Sequence, residues 1–411
     1  MPTRHPLKRT VAAFTLLLCC LGTAQHVRAA SDIPALTAEL DALQKKSALP
    51  GFAVAVVTGK EVFYQHGFGL ADLRSKAPYT VDTLQNVGSI SKTVVGVALV
   101  KAIELGYFTL DSEINTILPF QVVNPHGGAP IKVRDLVTHT SGIVDDDELY
   151  SHSYYVTAHA DKKSPLYASF KRNFTLGKGG DLSLGTFLRN YFARDGRYYK
   201  DSNFSKAAPG AEYNYSNIGA ALAAYLVEVT SKQSFDAFTQ QHVFQPLGMR
   251  STSWKVDAAD AKRLARNYNG KRQAYPHYAL ITYPDGGLST TTADLSRFLM
   301  AMMRGYAGQD GVLSATGFRQ LFDKQFKYAG LPANNPKSEP NSGIFWRIRL
   351  DGEIGHTGSD PGVTAFMFFD PATGRGRILL TNTEFGGAGE EDDPAVQQQF
   401  LDVWKALGRL P

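Results

Sequence analysis

The chain has 411 residues, 43 % of them hydrophobic, and a formal net charge of +5. Residues 1–29 carry four basic side chains (Arg4, Lys8, Arg9, Arg28) and no acidic one, so 5 − 4 leaves about +1 for the rest. A near-neutral body of this size can bury a large core, but it offers no electrostatic case for nucleic acid or a charged membrane surface. Small molecules or peptides are the expected partners.

In chain order, the opening MPTRHPLKRT is basic, VAAFTLLLCCL is a short apolar run, and small residues follow. That is the layout of a secretory signal peptide, with cleavage expected after Ala24 or Ala29. The body at 30–411 is therefore expected to be secreted or periplasmic. Cys19 and Cys20 both fall in the leader, so the exported chain would rely on its core without disulfides. No later apolar run is long enough to span a membrane once the leader is removed.

A helical pattern covers 33–48, and FAVAVVTGKEVFYQHGFG then reads as two strands around a Gly59-Lys60 turn. Helical patterns follow at 92–106, 216–230 and 293–303. IFWRIRL, VTAFMFFDP and GRILLTNTE read as strands near the other end. Strands at both ends with helices between predict an α+β fold: one antiparallel sheet built from both chain ends, packed on a mostly helical region. Residues from about 145 to 205 form an aromatic-rich insertion. It is expected to pack a small core of its own, to wall a substrate pocket, or both.

The chemistry starts at NVGSISKTVVGVALV, residues 86–100. Ser89 and Lys92 are three positions apart at the start of a helix too apolar to be exposed, so they share its first turn. A buried ammonium is costly unless paired, and a lysine held beside a serine can serve as its base. Ser-x-x-Lys by itself is weak, and a lysine snorkelling from a helix start is the bland alternative. Two further pieces stand at element boundaries: Tyr215-Ser216-Asn217 just ahead of an apolar helix, and His356-Thr357-Gly358-Ser359 between two strands.

In this order the three motifs resemble the serine hydrolases that include class C β-lactamases, penicillin-binding D-alanyl-D-alanine carboxypeptidases and related esterases. VRDLVTHTSGI, FQPLGMRSTSW and DGGLSTTTADLSRFL are similar to the same family, so the likeness covers nearly all of the body. The resemblance implies a catalytic trio, with Ser89 as nucleophile and Lys92 and Tyr215 sharing its proton. It also implies a substrate-binding set of Asn217, His356, Gly358 and Ser359, with backbone N–H groups of Ser89 and Ser359 binding the oxyanion. Dedicated class C β-lactamases carry Lys-Thr-Gly where this chain has His356. The His-Thr-Gly form is more similar to carboxypeptidase, amidase and esterase branches, with a true β-lactamase or a silent peptide- or cell-wall-binding module as alternatives.

Other features carry less. His139 reads as structural. Asp145, Asp146, Asp147 and Glu148 read as a solvated turn, and Glu390, Glu391, Asp392 and Asp393 as a solvated loop. No metal or cofactor motif is present, so none is expected.

Overall fold

The computed structural model describes residues 32–174, 183–257, 259–326, 330–385 and 393–410. The proposed leader at 1–29 and residues 390–392 of the acidic stretch lie outside them.

Eight strands form one antiparallel sheet: β1 (Gly51–Thr58), β2 (Val62–Asp72), β3 (Ala77–Pro78), β4 (Asn341–Ser342), β5 (Arg347–Ile348), β6 (Ile354–Asp360), β7 (Val363–Asp370) and β8 (Arg375–Thr381). Their order is β3-β2-β1-β8-β7-β6-β5-β4. The two ends of the chain meet where β1 pairs with β8, with Val54 opposite Leu379. Helices of eight residues or more are α1 (32–46), α2 (Ser91–Glu104), α3 (Tyr167–Phe174), α4 (Leu184–Phe192), α5 (Asn217–Ser231), α6 (Thr292–Tyr306), α7 (Ala315–Phe322) and α8 (Pro394–Leu407).

Period-two alternation sorts β1 between two cores. Ala55 and Val57 face the large core with α2, α4, α5, α6 and α7, whereas Phe52, Val54 and Val56 face a second core under α1 and α8. This matches the expected architecture of a sheet from both chain ends on a helical region. Helix α2 is buried almost all round, including Lys92, which is why its sequence shows an apolar run rather than a stripe.

Two readings are corrected. IFWRIRL is a strand only at Arg347–Ile348. Ahead of it, Phe345 adopts a left-handed φ of +56°, and Gly343 N–H donates to Trp346 O at 2.7 Å, making a turn that buries Trp346. Helix α8 was also missed, although Val396, Phe400, Val403, Trp404 and Leu407 recur at helical spacing. Asp393, read as part of a solvated loop, caps it by accepting from the N–H groups of Ala395 and Val396.

The insertion divides between roles. Phe187, Leu188, Tyr191, Phe192 and Phe204 join the large core, while Tyr154 and Phe170 pack with Tyr275 and Leu280 in a small cluster of their own. Tyr155, Thr157 and His159 line a cavity of about 300 Å³ shared with Asn86, Trp254, Tyr278 and Gly287.

Phe400 is fully buried between α8 and the sheet, so Phe400→Ala is expected to lower unfolding free energy by roughly 3–5 kcal/mol, read from urea denaturation.

Candidate active site

Ser89 lies in a tight turn, Gly88–Ile90, that leads into α2. Gly88 has a left-handed φ of +53°, and a Cβ there would sit 2.8 Å from Ser359 N. A Cβ on Gly358 would meet Val87 O at 2.0 Å. Both positions must lack a side chain for β6 to lie against the turn, and that approach sets the Ser359 backbone beside the Ser89 backbone. The contact is the role the structure gives Gly358. Side-chain-to-backbone bonds fix the turn further: Asn86 Oδ1 accepts from Gly88 N–H at 2.6 Å, and Ser91 Oγ donates to Gly88 O at 2.6 Å.

Lys92 is fully buried, and its Nζ lies 3.0 Å from Ser89 Oγ, 2.7 Å from Asn217 Oδ1 and 2.5 Å from the Asp285 carbonyl. Three acceptors match the three N–H groups of an ammonium. With one proton fewer, the amine would offer a lone pair to Ser89, and the hydroxyl would become the donor. The Asn217 amide oxygen thus holds the lysine amine in place.

Tyr215 packs over the same amine, with Lys92 Nζ 5.0 Å from its ring centroid. Its hydroxyl is buried and has no hydrogen-bond partner among the described residues. Lys92, rather than Tyr215, therefore makes the contact with Ser89, and the phenol is left available to a bound substrate. His139 supports this tyrosine, as its structural reading anticipated. It has a left-handed φ of +57°, its ring lies tilted against the Tyr215 ring with centroids 4.4 Å apart, and its Nδ1 accepts from Ser216 N–H at 3.2 Å.

His356 lies on β6, almost fully buried, with Nδ1 2.5 Å from Thr357 O. A carbonyl only accepts, so Nδ1 carries the proton and Nε2 presents a lone pair. Burial, with the nearby Arg347 charge second, holds this imidazole well below the usual histidine range. His139 is held down likewise by burial, then by Lys92 and Arg347. Position 356 therefore supplies no cation.

A cation does stand nearby, and the sequence reading missed it. Arg347 Nη1 donates to Thr357 Oγ1 at 3.3 Å and to Glu339 Oε1 at 3.0 Å, and its guanidinium lies 5.3 Å from the Tyr215 ring centroid. Its Nε has no partner among the described residues, and the side chain is 23 % exposed.

Asp145 is a correction. Instead of lying in a solvated turn, its carboxylate accepts from Ser216 Oγ at 2.7 Å, Asn217 N–H at 2.6 Å and Ile218 N–H at 3.1 Å, capping the helix that carries Asn217. Burial pushes its carboxyl up, against the pull of these bonds. Asp146 caps the short helix Asp147–Ser151 and pairs with Lys200 at 2.9 Å. Among the described residues, no three His, Cys, Asp or Glu side chains cluster as metal ligands, and no helix is long and apolar enough to cross a membrane.

A serine hydroxyl, a buried amine, a phenol and a strand backbone are thus brought to one turn. A family model described as Beta-lactamase matches residues 36–401, and the chain belongs to that serine hydrolase family. It is similar to Protein flp of Staphylococcus aureus strain MW2, with 21 % identity over 343 residues, 82 % of this chain and 60 % of that protein. It is also similar to a Beta-lactamase of Yersinia enterocolitica, with 26 % identity over 265 residues, 64 % of this chain and 58 % of that one. The chain thus spans about three fifths of the length of these curated relatives. The octameric penicillin-binding protein homologue from Pyrococcus abyssi superposes with a TM-score of 0.64 at 20 % identity, covering 92 % of this chain and 78 % of that one, which shows a shared fold.

Asp145→Ala removes three hydrogen bonds at the α5 cap. It is expected to cost about 2 kcal/mol or more in urea unfolding, as Asn217 and the start of α5 loosen. A second expectation concerns pH. Burial pushes the Asp360 carboxyl up to about 8, so between the unfolded value near 3.8 and that point the folded chain binds the extra proton. The contribution of Asp360 to stability therefore falls as pH rises from about 4 to 8. Asp360→Asn should flatten that fall, measured as urea midpoints at pH 5 and pH 8.

Proposed function

We propose that this protein is an exported serine hydrolase that cleaves an amide or ester through a covalent acyl-enzyme on Ser89. The single observation that carries the reading is Lys92 Nζ at 3.0 Å from Ser89 Oγ, beside a strand whose Ser359 backbone lies against Gly88. In the proposed reaction the Ser89 hydroxyl gives its proton to the neutral Lys92 amine as Oγ bonds to the carbonyl carbon. The oxyanion is held by the N–H groups of Ser89 and Ser359, a device whose loss costs roughly 2.7–4 kcal/mol in related settings. The Tyr215 ring packs against the lysine amine, and its hydroxyl, without a hydrogen-bond partner among the described residues, can pass a proton to the leaving group. Export rests on the basic-then-apolar opening of the chain alone.

Within that class the reading we favour is a carboxypeptidase of the D-alanyl-D-alanine kind, or an esterase, over a β-lactamase. Arg347, whose Nη1 reaches Thr357 Oγ1 and whose Nε has no partner among the described residues, supports a substrate that ends in a carboxylate, because it provides the permanent charge that neutral His356 lacks.

Purified protein is expected to be labelled covalently at Ser89 by a fluorescent penicillin or an organophosphonate, and Ser89→Ala to be unlabelled. Labelling that persists in the alanine variant removes the nucleophile assignment. Arg347→Ala is expected to lower kcat/KM for D-Ala-D-Ala peptides roughly 10- to 100-fold, the loss of a hydrogen bond to a charged group, while sparing short acyl esters. Fast turnover of a chromogenic cephalosporin would reverse the ranking.

A further inference from the structure

Two carboxyl groups lie buried close to Lys92, and the acyl-transfer steps do not use them. The Asp285 carbonyl accepts from Lys92 Nζ at 2.5 Å, while its side-chain Oδ1 accepts from the Tyr150 hydroxyl at 3.0 Å. Asp360 follows Ser359, and its Oδ1 accepts from the Tyr154 hydroxyl at 2.5 Å. Asp285 is fully buried and Asp360 nearly so; in each, Oδ2 has no hydrogen-bond partner among the described residues. The rings of Tyr150 and Tyr154 meet edge to face at 5.9 Å, so one continuous chain runs from Asp285 through the aromatic insertion to Asp360.

An ionised oxygen at that depth without a donor is unfavourable, and the arrangement suits carboxyls that keep their protons. Consistent with this, burial pushes Asp285 up to about 7, against the opposing pull of Lys92, the Thr282 hydroxyl and Tyr150, with Asp145 adding to the rise. The charged and titratable groups that face Asp285 are Lys92 from α2, Asp145 from the α5 cap, Tyr150 and Tyr154 from the insertion, and Asp360 from β6.

We propose that Asp285 is a positioning residue for Lys92 in the acylation step, and that the aromatic insertion takes part in the reaction through Tyr150, which fixes the Asp285 carboxyl. This deepens the reading of Ser89 as nucleophile and rests on it. The side chain anchors the residue whose carbonyl holds the lysine amine, so moving one moves the other. Its charge matters too. A neutral Asp285 leaves Lys92 free to accept the Ser89 proton, whereas an ionised Asp285 favours the ammonium, which cannot accept one. No proton passes to Asp285; the one that leaves Ser89 Oγ ends on Lys92 Nζ as the Oγ–acyl bond forms.

The test is the second-order rate of Ser89 labelling by an organophosphonate between pH 5 and pH 9, in the full chain as wild type, Asp285→Asn and Tyr150→Phe. Asp285→Asn, a permanently neutral isostere whose amide oxygen can keep the Tyr150 hydrogen bond, is expected to label at the rate the neutral carboxyl allows and to remove a limb of the profile near pH 7. The Tyr150 hydrogen bond favours the ionised carboxyl, so Tyr150→Phe should move that limb to higher pH. Wild-type-shaped profiles in both variants, or a uniform loss with the limb unmoved, overturn the proposal while leaving Ser89 as nucleophile. Should Asp285→Asn fail to fold, the direction of the Tyr150→Phe shift decides. A folded wild type that does not label at Ser89 overturns the nucleophile assignment itself, and the positioning role with it.

Discussion

The structure is organised around one fully buried amine. Lys92 Nζ is held by a hydroxyl from its own turn, an amide oxygen 125 residues further on, and a backbone carbonyl 193 residues further on. A charge at that depth is tolerable only when its donors are all met, and here each acceptor comes from a different element. The requirement ties α2, α5 and the turn before α6 into one geometry. It also explains why a lysine can sit in a helix that is otherwise apolar.

The sheet contributes the opposite wall through close backbone contact. Gly88 and Gly358 let β6 reach the turn that carries Ser89, and that approach rather than a side chain brings Ser359 alongside Ser89. Around this seam burial sets the charges. His139 and His356 stay neutral, while Arg347 remains a cation half-paired with Glu339. The electrostatic character of the pocket is therefore decided at position 347 more than at position 356.

The aromatic insertion is neither a separate body nor only a lid. Part of it completes the large core, part lines the cavity beside Asn86, and two of its tyrosines end on the carboxyls of Asp285 and Asp360. Tyrosine suits all three tasks, because its ring packs as an apolar group while its hydroxyl meets a buried acceptor.

The sequence by itself determined the fold class, the positions of most helices and long strands, and the three motifs, because hydrophobic period and a glycine next to a serine are local signals. It also marked Asn217 and His356 as site residues, and the order of the motifs tied them to a family. It could not disclose Arg347, Asp145, Asp285 or Asp360 as parts of the site. Each is an ordinary charged residue in its own segment, and Asp145 even sits in an acidic run that reads as solvated. Nor could it tell that the tail forms α8, since the acidic run before Pro394 masked its apolar spacing. Only the tertiary structure decided which groups are desolvated together, and hence that Lys92 is triply held, His356 is neutral and the charge beside Thr357 is a guanidinium. Those outcomes depend on burial and on contacts between segments far apart along the chain, and neither quantity is carried by any one stretch of residues.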